Sequence, residues 1–220
     1  MAYVDFLSTI HQRTARDYRQ RVLDFDKAAC AEVAVQFGRD YWDGERQFGY
    51  GGYRYDGRWR AVAEAMCKHY GLHAGSRVLD VGCGKAFLLY EFTQVVPGIE
   101  IVGLDISPYA VANAKEEVRP FLVTGAAQQL PFADQSFDLV FSITTLHNLY
   151  LFDLWTALKE IERVGRGAKY ICVEAYRNER EKVNLMYWQL TCRAFHTPEE
   201  WEWIFQQTGY TGDHSLIYFE

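Results

Sequence analysis

Asp80 with Gly82, Cys83 and Gly84, then Asp105, His147 and Glu174, all stand where short apolar runs of this chain give way to turns. Strand ends of that kind are where an open α/β sheet gathers a ligand. The glycines remove the Cβ that would hold backbone away from a nucleotide-like molecule. A dinucleotide turn needs a third glycine where this chain has Phe87, whose ring would obstruct close helix–strand contact. Asp105 follows the turn at about the 20-residue spacing of a ribose-holding carboxylate. An adenosine ligand therefore fits these residues, and a pyrophosphate does not.

Such residues need a sheet to position them. Val78, Leu79 and Val81 are too brief a run for a helix and suit a buried parallel strand. Ala86, Leu88, Leu89 and Phe92 then fall at helical spacing. Further strands are predicted at 99–104, 121–124, 137–143, 169–174 and 214–219. Helices are predicted at 108–118, 152–164 and 199–208, with Ser107 and Thr197 as N-caps. The alternation predicts an α/β fold with a doubly wound, mostly parallel sheet. Upstream, helices are expected at 5–23, 27–37 and 59–70. Between them, residues 39–59 are aromatic and glycine-rich without any period, which predicts an ordered loop or lid. Two units follow, an extension with its lid over 1–58 and a ligand-binding domain over 59–220.

Composition narrows the partners. The 220 residues carry 23 basic and 29 acidic side chains, a net charge of −6 with the basic residues dispersed. A nucleic-acid partner is disfavoured, because phosphates demand a basic footprint. No apolar run reaches membrane-spanning length and no leader pattern opens the chain, so no membrane partner and a cytoplasmic location are expected. Five scattered cysteines, none in a Cys-x-x-Cys pair, argue against both a disulfide framework and a structural metal.

Asp80-Val-Gly-Cys-Gly84, Gly103-Leu-Asp-Ile-Ser-Pro108, Leu130-Pro-Phe132 and Ser136-Phe-Asp-Leu-Val140 stand in order and in register. Together they resemble the class I S-adenosylmethionine-dependent methyltransferases, above all the branch that modifies small molecules. The resemblance covers about residues 77–175. It implies a seven-stranded type of sheet, S-adenosyl-L-methionine as cofactor and S-adenosyl-L-homocysteine as product. It also implies that Asp80, Gly82, Cys83 and Gly84 border the methionine and ribose, with Asp105 on the ribose hydroxyls and Ile106 on the adenine. Ala126, Ala127 and Gln128 would meet the adenine edge, and Ile143 would line the pocket beneath the sulfonium. Lys85 departs from the family pattern, and its ammonium is expected to point away from the sulfur.

Methyl transfer is an in-line displacement that alignment alone can accelerate, and a base is needed only for a poor nucleophile. His147 is the candidate base, and the alternative is a ring that shapes the pocket. Glu174 and Tyr176, at the next strand end, are candidates to orient an acceptor hydroxyl or amine. In the lid, Tyr53 offers a ring face to a sulfonium, and Arg58 offers a fork to a carboxylate. Arg177, Arg180, Lys182 and Arg193 suggest an anionic small acceptor, although a solvated helix face also accounts for them. The expected activity is O- or N-methylation of a small molecule; the alternatives are an RNA methyltransferase and a non-catalytic cofactor binder. Too few residues follow Gly209 for the family's closing hairpin, so the N-terminal segment or a second subunit of a homodimer is expected to complete the sheet.

Overall fold

The computed structural model describes residues 1–11 and 17–220. Six strands form one sheet in the order β3-β2-β1-β4-β5-β6. They are β1 (Arg77–Val81), β2 (Glu100–Asp105), β3 (Leu122–Thr124), β4 (Phe137–Ile143), β5 (Gly165–Glu174) and β6 (Asp213–Ile217). Every neighbouring pair is parallel. Among the described residues the expected seven-stranded type is thus realised with six strands and no antiparallel member. Neighbouring residues of β4 feed opposite faces, as the pleat requires. Leu139 and Phe141 join Met66, Leu89 and Phe92, whereas Val140 joins Leu158, Ile161, Trp201 and Phe205 on the other side.

The helices are α1 (Ser8–His11), α2 (Tyr18–Asp24), α3 (Lys27–Ala34), α4 (Arg39–Asp43), α5 (Arg60–Tyr70), α6 (Phe87–Val95), α7 (Pro108–Ala112), α8 (Leu151–Val164), α9 (Glu179–Trp188) and α10 (Pro198–Thr208). The helix expected over 5–23 falls partly outside the described residues; what is described there is α1 and α2. Asp26 caps α3, accepting from the amides of Ala28 and Ala29. The helix expected over 108–118 ends at Ala112 in a short α7. Two helices escaped the sequence reading. One is α4, a single turn inside the aromatic stretch, and the other is α9, whose weak apolar patterning hides its packing against α2.

The sheet's end is completed by the chain's own first residues. The Val4 amide donates to the His214 carbonyl at 2.9 Å, and the His214 amide donates to the Ala2 carbonyl at 3.0 Å. Residues 2–4 thereby run parallel to β6 along its free edge. Among the described residues no helix is long and apolar enough to cross a membrane.

Candidate active site

The turn after β1 brings backbone into the crevice. Gly82 and Gly84 adopt φ of +87° and +53°, which a Cβ would strain. Space forbids one as well. A Cβ on Gly82 would lie 2.1 Å from Thr145 Oγ1, and one on Gly84 would lie 2.8 Å from the Trp42 ring. Asp105, at the end of β2, ties the turn to its own loop. Its carboxylate accepts the Gly84 amide at 2.7 Å and the Ser107 amide at 2.8 Å.

Residues 39–59 lie folded over this turn. The Trp42 indole donates to Ser107 Oγ and to the Phe37 carbonyl, each at 3.0 Å, and its ring stacks on Tyr50 at 5.3 Å. Tyr53 stacks on Phe87, the ring that stands in place of a third glycine, at 5.0 Å. Lys85 fastens the layers. Its buried ammonium donates to both oxygens of Asp43 at 2.7 Å and to the Tyr53 carbonyl at 3.0 Å. Tyr109 donates to the same Asp43 carboxylate at 2.8 Å. Lys85 does not line the crevice beneath, in keeping with the expectation that its charge turns away from a sulfonium.

Under this cover lies a cavity of about 430 Å³ that crosses the strand ends. At the β2–β3 end Asp105, Ile106, Ala126, Ala127 and Gln128 line it. Asp80, Gly82, Cys83 and Gly84 line its middle. Ile143, His147 and Glu174 line the β4–β5 end, and Tyr53 and Arg58 contribute from above. The structure therefore brings together every candidate site residue except Tyr176. The Tyr176 amide donates to the His196 carbonyl at 3.4 Å, and its ring lies outside the cavity under the Lys182 ammonium. Arg58 lines the cavity, yet its guanidinium is engaged by Asp56, with Nε donating to Oδ2 at 2.7 Å.

Burial sets the electrostatics. It pushes the Asp80 carboxyl well up, and the neighbouring charge of Asp105 adds to the effect. Asp105 is also raised by burial, with the amides of Ser107 and Gly84 pulling against the shift. No described residue hydrogen-bonds the Asp80 carboxylate, so its acceptor capacity faces the cavity. His147 is 2% exposed, and burial drives its pKa down to about 3, which keeps the ring neutral. Its Nδ1 accepts the Glu174 amide at 3.4 Å, which assigns the proton to Nε2, 3.4 Å from Glu174 Oε2. Both ring nitrogens are thus turned to Glu174. That arrangement matches the pocket-shaping alternative for His147 better than a free base. Gln189 donates to the other Glu174 oxygen.

The basic residues after β5 do not line the cavity, which agrees with the solvated-face account of them and not with an anion site. Arg177 binds Glu181 and Glu220, each at 2.5 Å, and the Arg193 guanidinium lies over the Tyr150 ring. Sequence reasoning missed Tyr41, Trp42, Gln189 and Thr191, which also line the site. Aromatic density was the one signal for the first two. The last two follow the undetected α9 and had none. Among the described residues no His, Cys, Asp and Glu cluster could hold a metal ion.

Comparison with known proteins agrees with this geometry. Residues 72–209 match a family described as a methyltransferase domain. A demethylmenaquinone methyltransferase of Roseiflexus sp. (strain RS-1) is 32% identical over 137 residues, 60% of this chain and 56% of that protein. One of Staphylococcus aureus (strain JH9) is 30% identical over 164 residues, covering 68% of this chain and 66% of its own. The chain thus spans less than two thirds of the length of either relative. A chain from the complex between the Haloferax volcanii Trm112 methyltransferase activator and a methyltransferase superposes with a TM-score of 0.53 at 25% identity, over 71% of this chain and 77% of that one. With the domain matched over most of its length, the chain belongs to the class I S-adenosylmethionine-dependent methyltransferases.

Proposed function

We propose that the protein moves the methyl group of S-adenosylmethionine to an O or N atom of a small molecule by in-line displacement. In this reading residues 59–220 are the catalytic domain and residues 1–58 are an extension whose last part is the lid. One observation carries it: a single covered cavity runs from Asp105 past the unpartnered Asp80 carboxylate to Glu174. Asp105 suits ribose hydroxyls, and the bare Cα positions of Gly82 and Gly84 leave room for close approach. Asp80 suits the ammonium of the methionine moiety, and that cation would relieve the burial that now opposes its ionisation. The bound cofactor supplies an electrophilic methyl on a sulfonium. The chain's residues hold both partners in line and exclude water, which is most of what the displacement requires.

A small acceptor accords with the cover over the cavity and with the demethylmenaquinone methyltransferase relatives. The net charge of −6 argues against RNA. Calorimetric titration with S-adenosylmethionine, S-adenosylhomocysteine and NAD tests the cofactor site. The first two should bind, NAD should not, and Asp105→Ala should weaken the product at least tenfold. Release of S-adenosylhomocysteine with small hydroxyl or amine acceptors, and not with RNA, tests the transfer. Binding without turnover on any acceptor would favour the non-catalytic binder.

A further inference from the structure

We propose that a second cavity, walled by α2, the lid and the end of α9, binds a phosphate group. This goes beyond the methyltransferase reading and does not depend on it.

The cavity measures about 320 Å³ and adjoins the one described above, with Tyr41, Gln189 and Thr191 lining both. Arg21 comes to it from α2, Arg54 and Arg58 from the lid, and Trp188 from the last turn of α9. Gly49 and Gly52 also line it, so the lid backbone there carries no side chain to keep a ligand away.

Charge in this lining does not balance. Among the described residues its one carboxylate is that of Asp56, and Arg58 engages it, with Nε donating to Oδ2 at 2.7 Å. Neither Arg21 nor Arg54 has a carboxylate partner among the described residues. With the Arg58–Asp56 pair set aside, these two guanidinium charges remain. A phosphate monoester carries about −1.5 to −2 at pH 7, which matches them. Arg46 adds to the positive field, but its guanidinium donates to the Gly49 carbonyl and is left out of this count.

A solvated face would spread its cations apart, whereas here they crowd. The guanidiniums of Arg21 and Arg46 lie 4.9 and 5.1 Å from the centre of the Trp188 ring. A ring face holds a guanidinium in place without neutralising it. Burial, and then the charge of Arg46, hold Arg21 below the ordinary arginine value. Burial, and then Arg21, bring the Lys27 ammonium down to about 8. Like charges gathered in this way destabilise one another, and an anion placed among them offsets the repulsion. The forks of Arg21 and Arg54 suit two edges of a phosphate. A carboxylate offers one edge and one charge, and would leave one guanidinium uncompensated. Because Arg21 belongs to α2 and Arg54 to the lid, the phosphate would also bridge the two segments.

Calorimetric titration with phenyl phosphate, inorganic phosphate and phenylacetate tests this, at about 0.15 M salt to screen unspecific attraction. Phenyl phosphate should bind saturably and at least tenfold more tightly than phenylacetate. Inorganic phosphate separates two sources of the same chemistry. Affinity equal to or above that of the ester marks a free ion as the occupant, weaker affinity marks an ester, and both support the site. Arg21→Gln and Arg54→Gln should each weaken phenyl phosphate at least tenfold while their circular dichroism spectra match the parent protein. No saturable phosphate binding, or phenylacetate within tenfold of phenyl phosphate, overturns the inference without recourse to a variant. Full affinity in either folded variant also overturns it. So does loss of phosphate binding when S-adenosylhomocysteine saturates the protein, which would place the anion in the cofactor's own cavity.

Discussion

Replacing Lys85 by Met isolates what holds the lid down. The methionine keeps most of the buried stem's packing and removes only the ammonium. Lost are two hydrogen bonds at 2.7 Å to Asp43 and one at 3.0 Å to the Tyr53 carbonyl. Breaking a fully buried ion pair costs about 3–5 kcal/mol. Here the Lys85 side chain is 7% exposed but that of Asp43 is 26% exposed, and Asp43 keeps its bond from Tyr109. A cost of about 2–3 kcal/mol is therefore appropriate, equivalent to about 30- to 150-fold in the lid's opening equilibrium. Hydrogen exchange of the 39–59 amides at pH 7 reads this directly, with β1 and β4 as internal references. Exchange should accelerate in the lid and not in the strands. Burial opposes ionisation of Asp43, but Lys85 and Tyr109 outweigh it and hold the carboxyl below its usual range. The latch is then complete above the unfolded value of about pH 4 and is lost as pH falls through the lower folded value. Lid amides that exchange at the wild-type rate in Lys85→Met would refute the latch, as would acceleration spread equally over the strands.

Two other outcomes follow from the site. Gly82→Ala should abolish S-adenosylhomocysteine binding in a calorimetric titration, because its Cβ meets Thr145 Oγ1 at 2.1 Å and its φ is +87°. With burial holding the His147 pKa at about 3, kcat should change less than twofold between about pH 6 and 8 through this ring; a limb near pH 6.5 that disappears in His147→Gln would restore the general base. Because the unfolded ring binds a proton that the folded ring refuses, His147 also lowers stability as pH falls from about 6.5 toward 3, measurable as a declining Tm.

The sheet was legible where backbone chemistry constrains composition. Val78, Leu79 and Val81 can only be buried, and Gly82 and Gly84 mark the turn because positive φ favours glycine there. Asp105 was readable from its place at a strand end at the ribose-carboxylate spacing after the glycine turn, and the structure adds the backbone amides that converge on it. What stayed hidden depends on contacts between residues distant in sequence. Lys85 looked anomalous because its partner, Asp43, lies in a segment with no periodicity of its own. The α9 helix packs through scattered positions such as Leu185, and so concealed Gln189 and Thr191. Tyr176 was placed in the site as part of the strand end that carries Glu174, but β5 stops at Glu174 and the Tyr176 amide turns to the His196 carbonyl.

The pairing of residues 2–4 with the edge of β6 changes what kind of object the cover is. The extension that carries the cover is sewn to one side of the sheet at residues 2–4, and downstream the cover leads into α5, which packs on α6. A segment anchored twice is a strap and cannot swing like a door. It yields by slackening along its middle, and the freed stretch stays within a short radius of its seat, since tethered ends confine the search for reclosure. If the proposed function holds, ligand exchange beneath such a strap would proceed by brief lifting and not by baring the whole crevice to solvent.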